Sequence, residues 1–357
     1  MNGLLKVFSA AMVLGALVAG CGGGGGGGGS SSGVIVDTIP PSVVYTTPVN
    51  NETNVGTNTK ITVTFSEAVE PATVTKDTFE LARAGTTADI NTVTYDETNK
   101  IATITPSPLL GNQTYTVTVK RRVTDTADNV MTADYTWKFE TGAGADIIPP
   151  VLNSKAPADN ATGVGTNTSI AMSFSEPMDI STFSSAFSLA QVIQLVPAVT
   201  VGIPVPGTFS LIGQVVVFTP DTPLIPGDYI VTLTTDAKDL ADNGLAAPVS
   251  WSFTTGAGVD GTAPRVLGVS PAAGAPNVPT SGTSISVTFD EAIYPDILGS
   301  INGIATKIVV DYATNMITMT PTTPLTANKD YTFRIRVRDL SGNQMPNIYE
   351  WTFTTGN

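Results

Sequence analysis

The chain has 357 residues, room for two or three domains, and is 41% hydrophobic with only 13% charged residues. A formal charge of −13 and a pI near 4.3 argue against a nucleic-acid partner, whose phosphates need a basic footprint. With no histidine there is no Ser-His-Asp triad, no Cys-His pair and no His-ligated zinc, and the lone Cys21 leaves no intramolecular disulfide.

The first element, residues 1–20, reads as a signal peptide. Lys6 supplies a positive start, and Val7 to Val18 is an apolar run too short to span a bilayer comfortably. Val18-Ala-Gly-Cys21 then resembles the bacterial lipoprotein box. That resemblance implies acyl chains on Cys21, and several chains anchor stably where one binds marginally. Gly22 after the cysteine leaves export to the outer membrane open. Residues 21–36, dominated by Gly22 to Gly29 and Ser30-Ser-Ser-Gly33, read as a flexible tether with a reach of about 20 Å.

One pattern then repeats three times, over 37–142, 146–256 and 260–357. The copies open at Asp37-Thr-Ile-Pro-Pro, Asp146-Ile-Ile-Pro-Pro and Asp260-Gly-Thr-Ala-Pro. They close on Trp137-Lys-Phe, Trp251-Ser-Phe and Trp351-Thr-Phe. In the first copy Ile61, Val63 and Phe65 alternate with polar residues, and Ile101 to Thr105, Tyr115 to Val119 and Tyr135 to Phe139 follow. Period-two alternation predicts strands with one buried face. Asn50-Asn51, Asp96 to Asn99, Gly111-Asn112 and Asp128-Asn129 punctuate them as turns. Ile170, Met172 and Phe174, then Ile285, Val287 and Phe289, repeat the inward trio. About seven short strands per copy predict an all-β chain of three tandem Ig-like β-sandwiches. Tyr115, Tyr229 and Tyr331 fall where Ig-like sandwiches carry a corner tyrosine. The Trp residues sit on the last strand and no cysteine pair links the sheets, unlike antibody domains. Three such domains in line would reach on the order of 100 Å.

The strings Phe65-Ser-Glu67, Phe174-Ser-Glu-Pro-Met-Asp179 and Phe289-Asp-Glu291, with the Asp-Pro-Pro starts and the Asp339-Leu-Ser-Gly-Asn343 loop, resemble the bacterial Ig-like domain of the S-layer SbsA type. The resemblance covers residues 37 to 357 and implies extracytoplasmic stalk or surface-layer modules rather than an enzyme. The third copy departs most, with Ala-Pro for Pro-Pro and no Pro-Met after its glutamate.

An Ig-like sandwich would gather acids at one pole of each copy: Asp37, Glu67, Asp125, Asp128 and Asn129; Asp146, Glu176, Asp239, Asp242 and Asn243; Asp260, Asp290, Glu291, Asp339 and Asn343. In copies two and three that pole faces the preceding domain. Calcium, which prefers several carboxylate and carbonyl oxygens, could sit there and stiffen the array. Turn chemistry accounts for the same residue types.

No residue breaks the repeat as a catalytic site would, so no catalytic residue is assigned. The acids recur at loop ends, as a structural role predicts. Arg334, Arg336 and Arg338 alternate along a predicted strand, a solvated face or a weak polyanion contact. Gln191 to Gly207 is uncharged and apolar. It reads as two core strands joined at Gly202 or by the Pro204–Gly207 turn, or as a contact patch if exposed. The expected function is a non-catalytic, lipid-anchored stalk or adhesive module of the bacterial cell envelope, at the outer membrane or cell surface. The alternative is a binding module for a glycan or partner protein, for which Tyr294, Tyr312 and Tyr349 are the only aromatic candidates.

Overall fold

The computed structural model describes residues 37–357 apart from 89, 197–198, 296–299 and 302–303. The expected signal peptide, Cys21 and tether lie outside the described residues. Asp37–Asn357 forms one compact unit.

The first domain contains β1 (Val43–Thr47), β2 (Glu52–Val55), β3 (Ile61–Phe65), β4 (Phe79–Arg83), β5 (Thr86–Thr87), β6 (Ile90–Asp96), β7 (Ile101–Pro106), β8 (Thr114–Val119) and β9 (Tyr135–Thr141). They form two sheets, β1-β3-β7-β6 and β2-β9-β8-β4-β5. All pairings are antiparallel except β2 with β9. The period-two pattern sets which face is inward. Ile61, Val63 and Phe65 are at most 1% exposed and meet Val117, Trp137 and Phe139 of the other sheet. Ala84 and Gly85, both with positive φ, turn the chain from β4 into β5.

The second domain repeats this with β10 (Leu152–Ala156), β11 (Ala161–Val164), β12 (Ile170–Phe174), β13 (Phe187–Val196), β14 (Val199–Pro204), β15 (Gly207–Ile212), β16 (Val215–Pro220), β17 (Gly227–Leu233) and β18 (Val249–Thr255). Its sheets are β10-β12-β16-β15 and β11-β18-β17-β13-β14. A short helix, Phe183–Ala186, precedes β13. The third domain has β19 (Val266–Ser270), β20 (Ile285–Phe289), β21 (Ser300–Ile301), β22 (Ile304–Asp311), β23 (Met316–Pro321), β24 (Asp330–Ile335) and β25 (Tyr349–Thr354). These pair as β19-β20-β23-β22-β21 and β24-β25. The corner tyrosines hold the expected place: the hydroxyls of Tyr115, Tyr229 and Tyr331 accept from the N–H of Leu110, Ile225 and Thr326 at 2.8, 2.9 and 2.8 Å.

Residues 191–207 correct the expectation of a turn at Gly202, whereas the alternative, a turn over Pro204–Gly207, does join two strands, β14 and β15. Gly202 lies within β14, opposite Val192 of β13. β14 is the edge of its sheet, and Val201 and Ile203 are exposed at 38% and 47%.

The domains do not stack simply in line. Ala171 pairs with Val217 across β12 and β16 and faces away from the second domain's own core. Together with Ala156 and Val215 these residues join the third domain's hydrophobic cluster. The Ser154 hydroxyl accepts from Tyr312 N–H at 2.9 Å, and the Ser210 and Tyr294 hydroxyls meet at 2.6 Å. The β22–β23 hairpin thus packs on the outer face of the second domain's β10-β12-β16-β15 sheet. The matching outer face of the first domain carries Thr62 and Thr103, and that of the third carries Ser286 and Thr318.

Candidate metal centre at the domain poles

Each domain brings three carboxylates together at its N-terminal pole. Asp37, Glu67 and Asp125 form the first trio, Asp146, Glu176 and Asp239 the second, and Asp260, Glu291 and Asp339 the third. Within each, one oxygen per residue lies within 4.8 Å of the others. Three separate chain segments supply them: the start of the domain, the turn after the inward Phe strand, and a loop near the end. Isolated bridges Val69–Asp125, Met178–Asp239 and Ile293–Asp339 hold the last two segments side by side.

The loop aspartate is fully braced. Asp125 Oδ1 accepts from Ala127 N and Asn129 N, both at 2.8 Å, and Oδ2 accepts from Asn129 Nδ2 at 2.8 Å. Asp239 and Asp339 repeat the pattern with Ala241 and Asn243, and with Ser341 and Asn343. Asn129, Asn243 and Asn343 also donate from Nδ2 to the carbonyls of Asp37, Asp146 and Asp260. Both partners of each amide nitrogen are acceptors, so its NH2 end faces them. These asparagines brace the loop through their amide nitrogens. Asp128 and Asp242 have φ of 68° and 69°, where the third domain has Gly342, so they are turn residues. Asp290 accepts from Arg265 N at 2.7 Å, the place that the Ser66 and Ser175 hydroxyls take with Ser42 N and Val151 N.

Crowding of like charges shows in the proton affinities. Burial, then the charges of Asp239 and Asp146, push Glu176 up from its ordinary 4.5 to about 7, and a carboxyl hydrogen bond with Asp146 adds to this. Burial, then Asp339, Asp260 and Asp290, push Glu291 from 4.5 to about 7. Glu67 is raised by burial and by Asp37 and Asp125. Burial raises Asp239 against its hydrogen bonds, whereas in Asp125 the hydrogen bonds outweigh burial and lower it. Each trio is therefore short of positive charge. An all-oxygen donor set suits a hard cation such as calcium.

The second and third trios sit against the preceding domain, as expected. The joint that holds them there uses residues that sequence reasoning missed. Asn58 Nδ2 donates to Asp146 O and Ala241 O at 3.0 and 3.1 Å, and Asn58 Oδ1 accepts from Asp146 N at 2.8 Å. Thr57 N donates to Gly144 O, and Lys60 N to Leu240 O. Asn167 repeats the clamp on Asp260 and Ser341, Thr166 N donates to Gly258 O, and Ser169 N to Leu340 O. Lys60 Nζ adds ion pairs to Asp179 and Asp242, each at 2.8 Å. The signal was available: Val-Gly-Thr-Asn-Thr occurs at 55–59 and again at 164–168.

The remaining candidates are engaged in structure. Arg334 pairs with Glu350, Arg336 Nε donates to Met345 O at 2.9 Å, and Arg338 lies 4.0 Å over the Tyr294 ring. Tyr312 is buried, and Tyr349 packs at the edge of the third core. A cavity of about 620 Å³ between the second and third domains is lined by Lys155, Tyr312 and the third trio.

The copper resistance protein PcoC of Escherichia coli is 19% identical over 29% of this chain and 98% of its own, with a TM-score of 0.25. The S-layer protein rSbsC(31-844) is 13% identical over 89% of this chain, with a TM-score of 0.26, and the match spans 54% of that protein. Titin domains z1z2 match at 10% identity over 62% of this chain and 98% of their own, with a TM-score of 0.20. No curated protein matches. The profile of the bacterial Ig-like domain matches residues 37–141, 146–255 and 260–355, the three sandwiches in turn. The chain belongs to the bacterial Ig-like domain family, with three tandem copies of that domain.

Proposed function

We propose that this chain is a non-catalytic, lipid-anchored spacer or adhesive module of the bacterial cell envelope. Acyl chains on Cys21 hold it at the membrane, and the Gly/Ser tether carries the three domains outward. The resemblance to S-layer modules of the SbsA type belongs to this reading, as does a place at the outer membrane or cell surface. One observation carries it: both junctions repeat the same five hydrogen bonds, from Thr57, Asn58 and Lys60 and from Thr166, Asn167 and Ser169. A chain that duplicates its joints conserves the relation between successive domains, which is a mechanical property.

Calcium at the trios completes the reading. A divalent ion would offset the crowded carboxylates of Asp146, Glu176 and Asp239 and of Asp260, Glu291 and Asp339 at the two joints, and those of Asp37, Glu67 and Asp125 at the free pole. Millimolar calcium raises the melting temperature and EDTA lowers it on this reading; identical curves in both count against the ion. Protease shaving of intact cells tests the address. Release of peptides from 37–357 supports a surface module. Protection until the outer membrane is opened moves the chain to the periplasm. The second reading, a binding module for a glycan or partner protein, draws on the cavity beside Tyr312 and Lys155.

A further inference from the structure

The residues of the joint can be followed into the third domain. Backbone bonds fix the correspondence. The carbonyls of Thr57, Thr166 and Thr280 accept from Leu109, Leu224 and Leu325, and those of Val55, Val164 and Val278 from Gly142, Gly256 and Gly356. Pro279 therefore stands where Gly56 and Gly165 stand, and Ser281-Gly282 replaces Asn58 and Asn167.

Both changes close the socket. A Cβ at Gly56 would lie 2.6 Å from Asp146 Cβ and 2.8 Å from Asp146 N. At Gly165 the same atoms of Asp260 would lie at 2.7 and 2.8 Å. These contacts are with the incoming domain's backbone and its first side-chain carbon, which cannot swing aside. Pro279 carries such a Cβ. A serine hydroxyl has one proton, so it cannot donate to two carbonyls while accepting from an N–H, as the asparagine amide does.

The other end of the array is changed too. Leu240 and Leu340 lie buried at the two joints, and the first domain has exposed Thr126 in that place.

We propose that Pro279 with Ser281-Gly282 in the third domain, and Thr126 in the first, deny to a further bacterial Ig-like domain, including one on a second copy, the joint that glycine and asparagine open between the three domains. This goes beyond the stalk reading and depends on neither the lipid nor the ion. It separates a finite stalk from a layer that grows head to tail through its poles.

Residues 37–357 form a compact unit and are the material for the test. Light scattering across the micromolar range is expected to give a monomer for the native sequence. A variant with Pro279→Gly, Ser281→Asn, Gly282 deleted and Thr126→Leu is expected to associate, with cross-links between the first domain of one copy and the third of the next. Native self-association through these poles, or a monomeric variant with native circular dichroism and melting, overturns the proposal. If the variant does not fold, Asn58→Ser with Gly56→Ala decides, because it writes a closed socket into the first joint. Cleavage at 143–145 is then expected to quicken about tenfold or more, the worth of one or two hydrogen bonds. An unchanged rate overturns the proposal.

Discussion

Raising the pH is expected to destabilise the second and third domains when no divalent cation is present. Glu176 and Glu291 each rise from 4.5 to about 7 in the folded chain. Between those values the folded state holds more protons than the unfolded one, so the slope of stability with pH is negative there. Asp239 and Glu67, also raised, act in the same direction. Asp125 is lowered and loses its contribution only in stronger acid, while Lys60 is raised and titrates far above this window. At about 1.4 kcal/mol per tenfold change in proton affinity, each glutamate accounts for about 3 kcal/mol. Both are partly exposed, and solvent screening reduces this to about 1–2 kcal/mol each. For a domain of about 100 residues that is on the order of 5–10 °C in Tm. The assay is thermal melting in EDTA from about pH 5 to about pH 7.5. Tm is expected to fall across that range in the native chain, and to fall by much less in Glu176→Gln/Glu291→Gln, which keeps the shape and removes the charge. Calcium is expected to reverse the native slope by holding the carboxylates ionised. A native Tm in EDTA that is flat or rising, or a double variant that keeps the full fall, refutes the reasoning.

Three further outcomes follow from packing and hydrogen bonding. Tyr229→Phe leaves the Ile225 N–H and carbonyl without the hydroxyl that bonds them at 2.9 and 2.8 Å, and chemical denaturation should show a loss of about 1–3 kcal/mol. Val217→Asp puts a charge into the face that the third domain covers. It is expected to raise the radius of gyration in small-angle scattering, while Thr318→Asp at the matching, half-buried site of the third domain leaves it unchanged. Lys60→Ala removes two ion pairs at the first joint, one of them to exposed Asp242, and should cost less than about 1 kcal/mol, with the difference vanishing in high salt.

The repeated alternation around Phe65, Phe174 and Phe289 was enough to read the sandwiches from sequence, because strand periodicity is local and each copy must bury one face. The acids of the poles were legible for a related reason: once strands are assigned, the topology of an Ig-like sandwich brings the ends of three segments together. Their roles were not legible. Asn129, Asn243 and Asn343 look like ligands in sequence, and what the sequence does not show is that their amide nitrogens brace the loop between two acceptors. Asp290 looks like an added acid, yet it takes the place of a serine hydroxyl. The relation between domains was written more faintly. The runs Ile170-Ala-Met and Val215-Val-Val-Phe218 lack polar alternation, which marks a strand buried on both faces, but not what covers the second face. Only the tertiary structure shows that the third domain covers it. Likewise Gly56 and Asn58 are unremarkable turn residues until Asp146 of the next domain is seen against them. A residue's inward or outward sense follows from its neighbours along the chain, whereas a joint depends on what another domain brings to it.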